Sequence, residues 1–172
     1  MEKIIVIGCP GSGKSTFAKA LSEITGLPLY HLDNIFWNKD RTNVSDKVFM
    51  QRLEDILSLD RWIIDGNYSS SMELRFKSCD TVFFLDLPAK TCIESVRERI
   101  GKPRSDMPWF EEKEDPAFIE FIKSYENEGR KQALSLMFQY PEKDMHIFMN
   151  RMDVNDYLEA LRDHYSDIKH LA

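Results

Sequence analysis

Gly8-Cys9-Pro10-Gly11-Ser12-Gly13-Lys14-Ser15 fits the pattern G-x-x-x-x-G-K-[ST] of a phosphate-binding loop. Its flanks decide the fold. Lys3-Ile4-Ile5-Val6-Ile7 is a short apolar, β-branched run that reads as a buried parallel strand. Ser15 to Thr25 carries Phe17, Ala18, Leu21 and Ile24 at helical spacing. Glycines in such a turn let successive N–H groups point at phosphate oxygens, at the positive end of the adjoining helix. On this reading Lys14 reaches the β- and γ-phosphates, and the Ser15 hydroxyl is the Mg²⁺ ligand. The expectation is a nucleoside-triphosphate site built from Gly8, Pro10, Gly11, Ser12, Gly13, Lys14, Ser15 and Thr16.

Outward from this loop, strands alternate with helices. Pro28–Leu32, Arg61–Asp65, Thr81–Asp86 and Met145–Met149 read as further strands. Helices are expected over Ser45–Leu57, from Pro88 to about Ile100, over a long stretch from Ala117 that bends at Gly129, and over Val154–Tyr165. Along the long stretch, Phe118, Phe121, Ile122 and Tyr125 are placed on the inner face, with Ala133, Leu134, Met137 and Phe138 following the bend. Five strands alternating with helices imply an α/β, three-layer fold with a five-stranded parallel sheet. At 172 residues the chain suits one domain. Gly101–Pro116 has no usable period and an acidic run from Glu111 to Asp115. Together with the residues up to about 130, it reads as a mobile helical lid.

Charge and cysteines narrow the class. A formal net charge of -6 argues against broad nucleic-acid binding, which rests on phosphate neutralisation. Cys9, Cys79 and Cys92 are widely spaced, without a C-x-x-C pair, and point to reduced thiols. Absence of a leader pattern or an apolar run of spanning length leads to the expectation of a cytoplasmic protein with no membrane partner. The histidines His31, His146, His164 and His170 form no metal or nucleophile set, and His31 reads as a core residue.

A carboxylate stands at the C-terminal end of each of three strands: Asp33, Asp65 and Asp86. Open α/β sheets bind ligands at that edge. Each has a structural alternative, as a helix cap or a turn residue. No N-K-x-D base-reading motif of a GTPase occurs in the right place, and no apolar strand ends in Asp-Glu as in motor ATPases.

Together with Gly8–Ser15, the stretches His31-Leu32-Asp33-Asn34-Ile35-Phe36-Trp37, Asp65-Gly66-Asn67-Tyr68, Phe84-Leu85-Asp86-Leu87-Pro88 and Lys102-Pro103-Arg104-Ser105-Asp106-Met107-Pro108 resemble the adenylate-kinase-like group of small P-loop kinases. Within that group the chain looks most similar to bacterial topology modulation proteins. The resemblance implies an ATP- and Mg²⁺-dependent kinase acting on a small-molecule acceptor. It implies Arg99 against adenine, Arg97, Arg104 and Arg130 over the transferring phosphoryl group, and Asp33 as acceptor-orienting base. Asp65-Gly66 matches the acceptor loop of adenylate kinases, but Asn67-Tyr68 replaces the aromatic, proline and arginine found there, and Arg75 is a replacement for that arginine. The acceptor is thus expected among Asp33, Trp37, Asp65, Gly66, Asn67, Tyr68 and Arg75. Trp37 and Tyr68 could equally finish the core, and Arg75 and Arg130 could be surface residues. The alternative function is an ATP-binding regulatory protein whose lid switches a macromolecular contact, with an effect on DNA topology.

Overall fold

The computed structural model describes the backbone of residues 1–171 and the side chains of residues 1–167, so the side chain of His170 lies outside the described residues. Strands β1 (Lys3–Gly8), β2 (Leu29–His31), β3 (Trp62–Asp65), β4 (Thr81–Leu85) and β5 (Asp144–Phe148) form one sheet in the order β2-β3-β1-β4-β5. Every pairing is parallel, as the crossover helices require. The helices are α1 (Lys14–Thr25), α2 (Leu32–Phe36), α3 (Asp46–Leu57), α4 (Ser69–Ser78), α5 (Ala89–Arg99), α6 (Pro116–Ser124), α7 (Gly129–Gln139) and α8 (Arg151–Leu171).

Alternation along β1 sorts the core into two layers. Ile4 and Val6 join Phe17, Leu21, Cys92, Val96, Ile122 and Leu158, under α1, α5, α6 and α8. Ile5 and Ile7 join Phe49, Leu53, Met72, Phe76 and Ala133, under α3, α4 and α7. All four β1 side chains are fully buried, and each such burial stabilises the fold by about 1.5–3 kcal/mol. That double burial is why the strand reads as an unbroken apolar run. β1 is central, so the loop that leaves it emerges where the strand order reverses, at the sheet's ligand-binding edge.

Several expectations need correction. Helices α2 and α4 have no legible pattern in the sequence: α2 is only five residues long, and α4 opens on three serines and buries Arg75 beside Met72 and Phe76, which hides its apolar face. The long helix after Ala117 is two helices. The Tyr125 ring occupies the place of a Cβ at Gly129 (2.4 Å from an ideal one), and the chain breaks there instead of bending. Phe121, within α6, is half-exposed instead of inward, and Phe138, in α7, is 87% exposed. The final helix is longer at both ends than its apolar pattern.

Candidate active site

The loop after β1 is shaped by contacts only glycine permits. Gly11 has φ +88°, and a Cβ there would lie 2.3 Å from the Cys92 carbonyl oxygen of α5. The loop therefore sits directly on α5, with the Ser12 N–H donating to the Cys9 carbonyl (3.0 Å). Lys14 folds back and donates from Nζ to that same carbonyl at 3.0 Å. The Ser12 hydroxyl is buried without a partner, and Gly8 and Ser12 lie beneath the loop instead of facing the cavity.

The cavity measures about 1160 Å³. Pro10, Gly11, Gly13, Lys14, Ser15 and Thr16 form one end of its wall. Asp33, Trp37, Asp65, Gly66, Asn67 and Tyr68 line it from the ends of β2 and β3, and Arg99 and Arg104 line it from α5 and the segment after it. The fold thus brings to one space fourteen of the twenty candidate residues singled out from the sequence; Gly8, Ser12, Arg75, Asp86, Arg97 and Arg130 do not line it.

Arg75 and Arg130 do not reach that space. Arg75 is wholly buried and donates to the carbonyls of Gly66 (2.7 Å), Asn67 and Tyr68 (3.2 Å). It holds the Gly66–Tyr68 loop from behind, so it does not reach the cavity as the arginine of the adenylate-kinase pattern is expected to. Arg130 forms a two-pronged pair with Asp86, with Nε 2.8 Å from Oδ1 and Nη2 2.9 Å from Oδ2. This pair ties α7 to the end of β4 and accounts for Asp86, which neither lines the cavity nor starts a helix.

At the end of the cavity formed by β2 and β3, Asn67 locks two loops together. Its Nδ2 donates to the Gly8 carbonyl at 2.6 Å, and its Oδ1 accepts from the Gly8 N–H at 3.1 Å. The Gly66–Tyr68 turn is tight: Gly66 has φ +138°, with Leu32 Cβ 2.9 Å from where its own Cβ would stand, and Tyr68 has φ +39°. A left-handed tyrosine costs energy that the Arg75 clamp offsets. The Tyr68 hydroxyl donates to Asp33 Oδ1 at 2.7 Å. Burial holds the Asp33 carboxyl above the usual carboxylate range, against the Tyr68 hydrogen bond, and the nearby Asp65 charge pushes the same way. Asp65 is 4% exposed, takes His31 Nδ1 on Oδ2 at 2.8 Å, and has no partner on Oδ1. Asp65 is thus the partner that satisfies the His31 ring.

The segment from Gly101 to Asp115 lies over the cavity and carries its own counter-ions. Arg99 Nη2 meets Glu111 Oε1 at 2.6 Å, and Arg104 meets Glu111 at 3.5 Å and Asp106 at 3.0 Å. Burial works to raise the Asp106 carboxyl, but Arg104 and then the Ser15 hydroxyl pull it below its ordinary range. Arg97 pairs outside with Glu114. Opposite, the Asn34 side chain donates to the Ser105 carbonyl (3.0 Å), Arg41 meets Glu112 (2.9 Å), and Trp37 and Trp109 pack edge to face with centroids 5.8 Å apart. Sequence reasoning misses Asp106, Glu111 and Arg41; the Arg104-x-Asp106 spacing is the only hint. Among the described residues no cluster of three or more potential metal-ligating side chains occurs, and no helix is long and apolar enough to cross a membrane. The three cysteines are buried and free.

The parallel sheet, in the order β2-β3-β1-β4-β5, carries this loop at its switch point. Among solved structures, the chain aligns with a shikimate kinase from Acinetobacter baumannii at TM-score 0.61 and 14% identity, covering 99% of this chain and 92% of that one. It aligns with a gluconokinase from Sinorhizobium meliloti at TM-score 0.54 and 14% identity, covering 99% and 97%. In sequence it is similar to the adenylate kinase of Thermotoga maritima, 30% identical over 146 residues, which cover 83% of this chain and 54% of that protein. The chain is adenylate-kinase-like in sequence and has the small P-loop kinase fold. It spans about half the length of the curated relatives it matches. No protein-family model matches it.

Proposed function

We propose that the protein is a phosphotransferase that moves the γ-phosphoryl group of Mg-ATP to a hydroxyl of a small-molecule acceptor. One observation carries this reading: the phosphate loop, the arginines Arg99 and Arg104 and the half-buried carboxylate Asp33 face a single cavity. Similarity to adenylate kinases supports it.

The residues present fit a nucleoside triphosphate. The backbone at Gly11 leaves no room for a side chain, Lys14 rests on a backbone carbonyl that a phosphate can replace, and Ser15 is at the first turn of α1. Backbone N–H groups of the loop and Lys14 would hold the phosphates, with Arg99 beside the base. The Ser15 hydroxyl would hold Mg²⁺, which supplies neutralisation of phosphate charge. Phosphoryl transfer has a loose transition state with charge spread over its oxygens, so positioned cations account for most of the rate. Arg104 is placed for this once it exchanges Asp106 and Glu111 for phosphate oxygens. Asp33 accepts the acceptor's proton; its raised affinity for protons makes it a better base than an exposed aspartate. The overlying segment excludes water, the competing acceptor.

The test is ADP release from Mg-ATP with a panel of nucleosides, nucleoside monophosphates and hydroxylated metabolites. Stimulation by one compound, falling about 100-fold or more in Lys14→Ala and Asp33→Ala, is expected. Tight ATP binding with no stimulation by any compound would overturn the reading.

A further inference from the structure

Resting on the phosphotransferase reading, we propose that the acceptor is an uncharged ring compound with neighbouring hydroxyl or amino groups, held by Asp65 and Asp33 and not by a cation. Three features of the acceptor end converge on this.

First, Asp65 presents an unused acceptor atom. The side chain is 4% exposed, His31 Nδ1 occupies Oδ2, and Oδ1 is buried without a partner while the residue lines the cavity. A buried carboxylate oxygen in that condition calls for a donor, which an O–H or N–H group of a ligand in the cavity supplies. Asp33 stands beside it with Oδ1 already taken by the Tyr68 hydroxyl. Two carboxylates side by side repel a phosphate or carboxylate and attract O–H or N–H groups.

Second, the cations near this end are committed. Arg75, which comes after the Asp65-Gly66 turn, is clamped on three backbone carbonyls. Arg41 faces Glu112 and lies over the Trp109 ring, 5.4 Å from its centroid. That pair is exposed and weak, so it could exchange, but an anion reaching it would still lie against Asp33 and Asp65. Arg104 and Lys14 border Asp33 on the side of the phosphate loop, where the transferring group needs them.

Third, the remaining wall is aromatic and continuous. Phe36 packs on Trp37 (5.1 Å) and Tyr68 (5.0 Å), and Trp37 on Trp109 (5.8 Å). An aromatic wall opposite hydrogen-bonding carboxylates suits a ring with one apolar face and a polar edge. In the reaction, the acceptor oxygen bonds to the γ-phosphorus as the bond from that phosphorus to the β,γ-bridging oxygen breaks. The electron pair leaves on ADP, and the hydroxyl proton passes to Asp33.

Matched pairs test the inference: nucleosides against their own 5′-monophosphates, and uncharged cyclic polyols against their phosphates, each with Mg-ATP and the full chain. The expected result is at least tenfold higher kcat/KM for the uncharged member of a productive pair. Asp65→Asn should raise the acceptor KM tenfold or more, with the KM for ATP within twofold. Preference for a monophosphate or another anion would overturn the acceptor class and leave the phosphotransferase standing. Stimulation by no compound would remove both. The wild-type panel decides the class even if Asp65→Asn fails to fold.

Discussion

Asp33 and Gly11 show how single positions set the site's chemistry. Because the Asp33 carboxyl is held above its ordinary value of 3.8, the folded chain binds more protons than the unfolded chain between those two values. This group's contribution therefore lowers stability as pH rises through that window. Asp33→Asn keeps an oxygen for the Tyr68 hydroxyl and removes the buried charge. It should raise the melting temperature at pH 7 by about 2–4 °C, the effect of about 1 kcal/mol in a domain of this size, while abolishing transfer. The gain should vanish when the scan is repeated at a pH below 3.8. The same proton affinity predicts that kcat/KM rises with pH along an acid limb lying above the ordinary carboxylate range. At Gly11, alanine meets both the left-handed φ and the Cys92 carbonyl. Gly11→Ala should cost about 1–3 kcal/mol in urea unfolding and weaken ATP binding, since the loop must leave α5 to make room.

At the scale of elements, the segment between α5 and α6 is the informative one. Its arginines are neutralised by its own acids, so a triphosphate must displace Glu111 and Asp106 before Arg99 and Arg104 can act. Glu111 alone serves both arginines and has a second oxygen without a partner. Glu111→Gln should therefore lower the KM for ATP severalfold and loosen the segment. Faster tryptic cleavage after Arg104 or Lys113 in the ATP-free protein would report the loosening. Exposed pairs such as Arg97–Glu114 are screened by solvent and contribute little, and Glu114→Gln should change neither readout. Helix α4 shows why local pattern fails where tertiary demand dominates. Its buried arginine exists to hold three carbonyls of the preceding turn, a role with no helical period.

For the molecule as a whole, two core layers share one sheet, and α1 packs against α8 and β3, so nucleotide site and core form one unit. A single cooperative thermal transition is expected from the 172-residue chain alone. Mg-ATP at about 100 times its dissociation constant should add about 2.7 kcal/mol, an upward shift of roughly 5–10 °C. Two separated transitions in calorimetry, with only one moved by nucleotide, would contradict this.

The sequence by itself determined the phosphate loop, the parallel sheet and the strand-end carboxylates. Each depends on short-range rules: a glycine spacing, a doubly buried apolar run, a residue just past a strand. Only the tertiary structure decided which of the arginines face the cavity. Arg75, Arg99, Arg104 and Arg130 look alike as letters, because a guanidinium's role is fixed by whichever oxygens lie within about 3 Å, and those come from residues up to 44 positions away. The orphan oxygen of Asp65, the His31 beneath it and the Asn67 link to Gly8 are of the same kind. They arise where β1, β2 and β3 end side by side, a juxtaposition set by sheet order and not by any stretch of chain.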